Sequence, residues 1–102
     1  MITLKEGEKR TIAAKVKRRR GSGAITLTNP ERRIVDANFA LVVGFDWGAA
    51  TWDATKNEIS ALFDSTLAGL TAVGDYYMEL RGVIGPERYG IKVKVTVEEW
   101  GP

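Results

Sequence analysis

The sequence predicts an all-β protein of 102 residues, folded as one antiparallel sandwich of about seven strands. Three observations carry that expectation. Near the end of the chain Tyr76, Met78, Leu80 and Ile84 share one face of a strand. On the next strand Tyr89, Ile91, Val93, Val95 and Val97 do the same, with Lys92, Lys94, Thr96 and Glu98 opposite. Such period-two alternation marks half-buried strands. Upstream, Leu70, a short corner holding Gly74, and Tyr76 entering the strand match the way immunoglobulin-like sandwiches close one end. Finally, short extended segments with turn residues between them recur along the chain, with no internal repeat or linker.

Taken in order, residues 10–17 set Ile12, Ala14 and Val16 against Thr11, Ala13, Lys15 and Lys17, a strand with one wet face. Arg18-Arg19-Arg20-Gly21-Ser22-Gly23 reads as a turn, because glycine takes positive φ at no steric cost. Residues 24–28 form a short strand stopped by Asn29-Pro30, and residues 34–37 another short extended piece. In residues 39–47, Phe39, Leu41, Val43, Phe45 and Trp47 fall on one face, which predicts a central strand with that row in the core. Residues 48–51 read as irregular and 52–57 as a turn or one loose helical turn. Residues 58–64 read as a strand placing Ile59, Ala61 and Phe63 inward, and 65–73 as a corner.

The final hairpin is expected to turn through four residues, Gly85-Pro86-Glu87-Arg88, with Ile84 facing Tyr89. Leu80 then faces Val93, Met78 faces Val95, Tyr76 faces Val97, and Glu79 meets Lys94 on the wet face. A one-residue slip would turn every valine outward, so the alternation fixes which face is buried. The expected core is Phe39, Leu41, Val43, Phe45, Ile59, Phe63, Tyr76, Leu80, Ile91, Val93 and Val95.

Composition narrows the function. The chain has no cysteine and no histidine, which removes a disulfide framework, a thiolate zinc site and the commonest general base. Carboxylates are scattered without a calcium-loop pattern, and Ser65 and Thr66 have no base at a recognised spacing, so they are expected to cap the corner backbone. Neither an enzyme nor a metal or other cofactor is expected. The N-terminus lacks a basic region followed by an apolar run, and no apolar stretch approaches the ~18 residues of a membrane span. A cytoplasmic or particle-associated protein is expected, without a signal peptide and without membrane contact.

Net charge is +2 but unevenly spread: residues 1–51 carry ten basic against five acidic side chains, and residues 52–102 five against eight. The basic excess gathers at Lys15, Lys17, Arg18, Arg19, Arg20, Arg32 and Arg33. It reads as a solvated sheet edge, as a surface for a complementary protein, or as a weak phosphate contact. Nucleic-acid binding is not expected at physiological salt. Among the tryptophans, Trp47 ends the inward row and is placed in the core. Trp52 either covers one end of the sandwich or meets a partner, and Trp100 is the best exposed anchor. The candidate interaction residues are Trp52, Trp100, Arg18, Arg19 and Arg20. A carbohydrate-binding or surface-binding module using Trp52 or Trp100 is the alternative to assembly.

The strand opening at Gly7-Glu8-Lys9-Arg10-Thr11-Ile12, the segment Ile25 to Thr28, and the late positions Asp64, Ser65, Gly74, Tyr76, Glu79 and Leu80 carry a resemblance. The chain resembles small immunoglobulin-like domains of phage and prophage structural modules, including the N-terminal domain of phage baseplate upper proteins. The resemblance implies a non-enzymatic structural protein of a virion or phage-derived particle. It would work through contacts with copies of itself or with other structural proteins.

Overall fold

The computed structural model describes residues 2–17 and 25–100. Among these residues eight strands succeed one another: β1 (Ile2–Lys5), β2 (Lys9–Lys15), β3 (Leu27–Asp36), β4 (Gly48–Ala49), β5 (Thr51–Asp53), β6 (Glu58–Asp64), β7 (Gly74–Ile84) and β8 (Glu87–Glu98). They form a five-stranded sheet in the order β1-β8-β7-β3-β4 and a three-stranded sheet in the order β2-β6-β5. By their order, β2, β6 and β5 occupy the places of immunoglobulin strands B, E and D. β3, β7 and β8 occupy those of C, F and G. The expected sandwich is present, with one departure from pure antiparallel pairing: β1 runs parallel to β8, Ile2 opposite Val95 through Lys5 opposite Glu98.

Alternation builds the core. Ile12, Ala14 and Val16 point inward from the three-stranded sheet with Ile59 and Phe63. Ile34, Tyr76, Met78, Leu80, Val95 and Val97 meet them from the larger one. The Phe63 and Tyr76 rings, 5.6 Å apart and tilted by 60°, join the two sheets. Leu70 is fully buried beneath the corner. There the Tyr76 hydroxyl donates to the Ala72 carbonyl at 2.8 Å, the closure that the corner sequence predicts. Ser65 Oγ donates to the Leu70 carbonyl and so caps the corner backbone as expected, whereas the Thr66 hydroxyl donates to the Asp64 carboxylate, which also accepts the Thr66 amide, so at that position Asp64 is the cap.

Several expectations are corrected. Asn29-Pro30 does not stop a strand; β3 runs through it from Leu27 to Asp36. A register shift between Thr28 and Glu31 absorbs the proline, with Asn29 at φ 53°. A bulge is where a sheet tolerates proline. Residues 39–47 form no strand. Phe39 sits at φ 61°, in a turn whose amides Asn38 and Ala40 donate to Asp36 Oδ1 at 2.8 and 3.0 Å. The chain then returns along the free side of β3 through isolated bonds, Val42 to Ile34 and Ile34 to Phe45. A second turn between Val42 and Phe45 breaks the alternation. Val42 is therefore buried, Phe45 half-buried, and Phe39, Leu41 and Val43 exposed, Val43 by 89%. Trp47 lies outside the core.

The hairpin register is also two residues from expectation. Its loop is Gly85-Pro86 alone, so Leu80 faces Ile91, Met78 faces Val93, Tyr76 faces Val95, and Glu79 faces Lys92. Gly85, at φ 59°, supplies the positive φ that a two-residue loop with glycine first requires. A shift of two keeps every residue on its expected face, but it carries Ile91 up the hairpin, where it is 37% exposed.

Candidate interaction surface

The outer face of the five-stranded sheet carries a row of charged and aromatic side chains. Glu31, Arg33 and Val35 of β3, Tyr77, Glu79 and Arg81 of β7, and Lys92 and Lys94 of β8 stand there in register. Segment 39–47 folds over part of this face. Phe39 stacks on Tyr77 with centroids 4.9 Å apart and planes at 24°, and Lys92 Nζ lies 4.4 Å from the Phe39 centroid. Trp47 packs beneath Arg81, whose guanidinium carbon is 3.6 Å from a ring centroid, and beside Arg33 at 4.8 Å. Val35, on this outer face, is buried outside the main core cluster.

Carboxylates hold two of those arginines in place. Arg33 donates twice to Glu79 Oε1, at 3.0 and 2.8 Å, and Arg81 Nε donates to Glu31 Oε1 at 3.0 Å. Half-exposed pairs of this kind contribute about 1 kcal/mol or less each, and each cation–aromatic contact a similar amount. Their combined effect is to fix the orientation of a plate of rings and cations. Sequence reasoning missed this plate, although Tyr77, Glu79 and Arg81 visibly alternate on the wet face of the hairpin. The missing information was that the aromatics of 39–47 come from a covering loop.

The residues singled out in the sequence are dispersed. Trp52, on β5 opposite Ile59, is half-buried and packs against the core, so packing accounts for it. Trp100 is 71% exposed, and its amide donates to Glu6 Oε1 at 3.1 Å, which anchors its backbone beside the turn after β1. Arg18, Arg19 and Arg20 lie outside the described residues. Arg32 and Arg33, adjacent on β3, point to opposite faces: Arg32 donates to the Asp46 carbonyl at 2.7 Å and sits over Phe45. Lys15, at the end of β2 in the other sheet, and Lys17 are exposed. The charge asymmetry between chain halves is likewise met within the fold. Lys5 pairs with Glu98, Lys9 with Asp64, and Arg33 with Glu79, each joining a first-half cation to a second-half anion.

Among the described residues, three groups have shifted acidities. Hydrogen bonds from the Thr66 hydroxyl and amide hold Asp64 below the ordinary carboxylate range, against an opposing cost of burial. Burial pushes the Tyr76 phenol up, helped by the charge of Asp36, and burial alone raises Tyr89. Asp36, Asp46 and Asp53 each accept nearby backbone amides and so serve their own turns. Among the described residues no group of three acidic side chains is placed to hold a metal ion. No helix among them is long and apolar enough to cross a membrane. Neither a protein-family model nor a curated protein matches the chain.

Proposed function

We propose that this chain is a non-enzymatic assembly protein of a phage or prophage-type particle, tail or baseplate associated, which acts through protein–protein contacts. The observation that carries this reading is the outer sheet face. There Trp47, Phe39 and Tyr77 pack against Arg81, Arg33 and Lys92, and aromatic rings and arginine are the groups that dominate protein interfaces. The immunoglobulin-like corner built from Leu70, Gly74 and Tyr76 agrees with the family resemblance of the sequence. Trp100, exposed and tethered through Glu6, is a second anchor placed away from that face.

Light scattering coupled to size-exclusion chromatography tests the reading. Self-association is expected at high protein concentration, weakened by Trp100→Ala and by added salt, since rim charges are screened. A chain that stays monomeric at low and high salt alike, and that is captured by no structural protein of its particle, would overturn assembly.

A further inference from the structure

The edge of β8 allows the assembly reading to be taken further, to the chemistry of one partner, and the partner's chemistry rests on that reading. β8 is paired by β7 along its whole length, but β1 covers its other side only from Val95 to Glu98. Along residues 87–94 no described strand takes that side. The two-residue loop makes Ile84 and Glu87 a hydrogen-bonded pair. By alternation, the main-chain groups of Arg88, Gly90 and Lys92 then point away from β7. An unpaired row of this length is a template for an added strand.

Three features specify that strand. Lys94 pairs with Asp75 at 3.5 Å, whereas Arg88 and Lys92 form no ion pair among the described residues. A second copy laid antiparallel on the same edge would set Arg88, Lys92 and Lys94 against one another, and like charges directly opposite are destabilising. Gly90 lies between the two unpaired cations. A Cβ there would meet only the Leu80 main-chain oxygen, at 3.9 Å, so neither backbone conformation nor crowding demands glycine. Its missing side chain opens a depression of about 360 Å³ bounded by Trp47, Arg81 and Lys92. Glycine inside a strand commonly marks the close approach of another backbone or a ligand. On the opposite face, half-buried Tyr89 and Val93 flank exposed Ile91, an apolar row at the same edge.

We propose that this edge takes an extended acidic segment of another protein as an added strand. Its carboxylates face Arg88 and Lys92, the residue between them sits over Gly90 beside Trp47, and its alternate apolar side chains face Tyr89 and Ile91. Main-chain bonds supply affinity in such strand addition, and side-chain pockets supply choice.

The probe is the capped peptide Val-Glu-Val-Thr-Val-Glu-Val, titrated into the isotopically labelled full chain and followed by amide chemical shifts. Saturable changes are expected at residues 88–92. The lysine counterpart, Val-Lys-Val-Thr-Val-Lys-Val, should bind at least about tenfold more weakly. Arg88→Glu with Lys92→Glu should invert that preference. Gly90→Val, which fills the depression while favouring the strand, should weaken the acidic peptide by about tenfold with no loss of thermal stability. No saturable change, equal binding of both peptides, or shifts confined to another surface would each overturn the proposal. A protein that self-associates yet ignores both peptides sinks the edge proposal alone and leaves the assembly reading standing.

Discussion

The β7–β8 hairpin and segment 39–47 touch the same sheet face, one as the middle of the sheet and the other as its cover. In the hairpin every residue from Gly74 to Ile84 has a partner between Glu87 and Val97, so the ladder alone decides which way each side chain points. Along 39–47 only Leu41 makes a bridge, to Val35, and the other main-chain bonds are single ones to Asp36, to Ile34 and Arg32 of β3, or within the segment itself. Its side chains go to three environments: Val42 to the core, Phe39 and Trp47 to the outer plate, and Val43 to solvent. The same alternation of apolar residues thus has two outcomes. A complete ladder turns period two into a buried row, and a partial one lets each side chain find its own contact.

That contrast is sharpest in stability. Leu80→Ala removes a side chain that is 1% exposed and should cost about 2–5 kcal/mol in denaturant unfolding. Val43→Ala, at an apolar position of the predicted row, should change stability by about 0.5 kcal/mol or less. Comparable losses at the two sites would restore 39–47 to the core and break the comparison.

The corner that launches the hairpin comes next. Tyr76→Phe keeps the ring against Phe63 but deprives the Ala72 carbonyl of its donor. A loss of about 0.5–1.5 kcal/mol is expected, the net worth of one hydrogen bond to an acceptor on an exposed residue. Chemical denaturation of the two proteins side by side measures it, and a neutral result would mean that water replaces the phenol without cost.

A smaller effect lies at the other end of the same corner and depends on pH. Because the folded pKa of Asp64 lies below its ordinary value of 3.8, its stabilising contribution is complete above that value and is lost as pH falls through the folded pKa. Thr66→Ala removes the largest cause of the shift. The variant should be less stable than the parent at neutral pH, and the gap should close towards about pH 2. Thermal midpoints across that range would show it, and a gap independent of pH would assign the loss to the hydroxyl's neutral bonds instead.

Where side-chain identity and local spacing were sufficient, the sequence was legible. β2 and β6 and the corner from Ser65 to Tyr76 follow from alternation and from short-range hydroxyl bonding. The hairpin's faces followed too, but not its register, because a two-residue and a four-residue loop present the same faces while pairing different residues across the ladder. The bulge at Asn29-Pro30 was hidden because proline's usual meaning is strand termination, and only a neighbouring ladder reveals a tolerated one. The cation–aromatic plate was hidden for another reason. Trp47 and Arg81 are 34 positions apart in sequence and meet only after 39–47 has folded over β7. Clusters of that kind are written in tertiary geometry, with no local pattern to announce them.

The parallel pairing of β1 with β8 has a consequence for how the chain acquires its structure. Leu4 is 2% exposed, yet the strand that completes its surroundings ends at Glu98. During synthesis, at ~5–20 residues per second, β1 is made long before β8, the strand it pairs with. It must wait while the β7–β8 hairpin emerges and closes, and closure across so much chain is the slow, high-contact-order step of an all-β domain. Throughout that delay its Ile-Thr-Leu stretch lacks its partner strand, and the Lys5 and Glu6 charges beside it are of the kind that guard such a segment against aggregation.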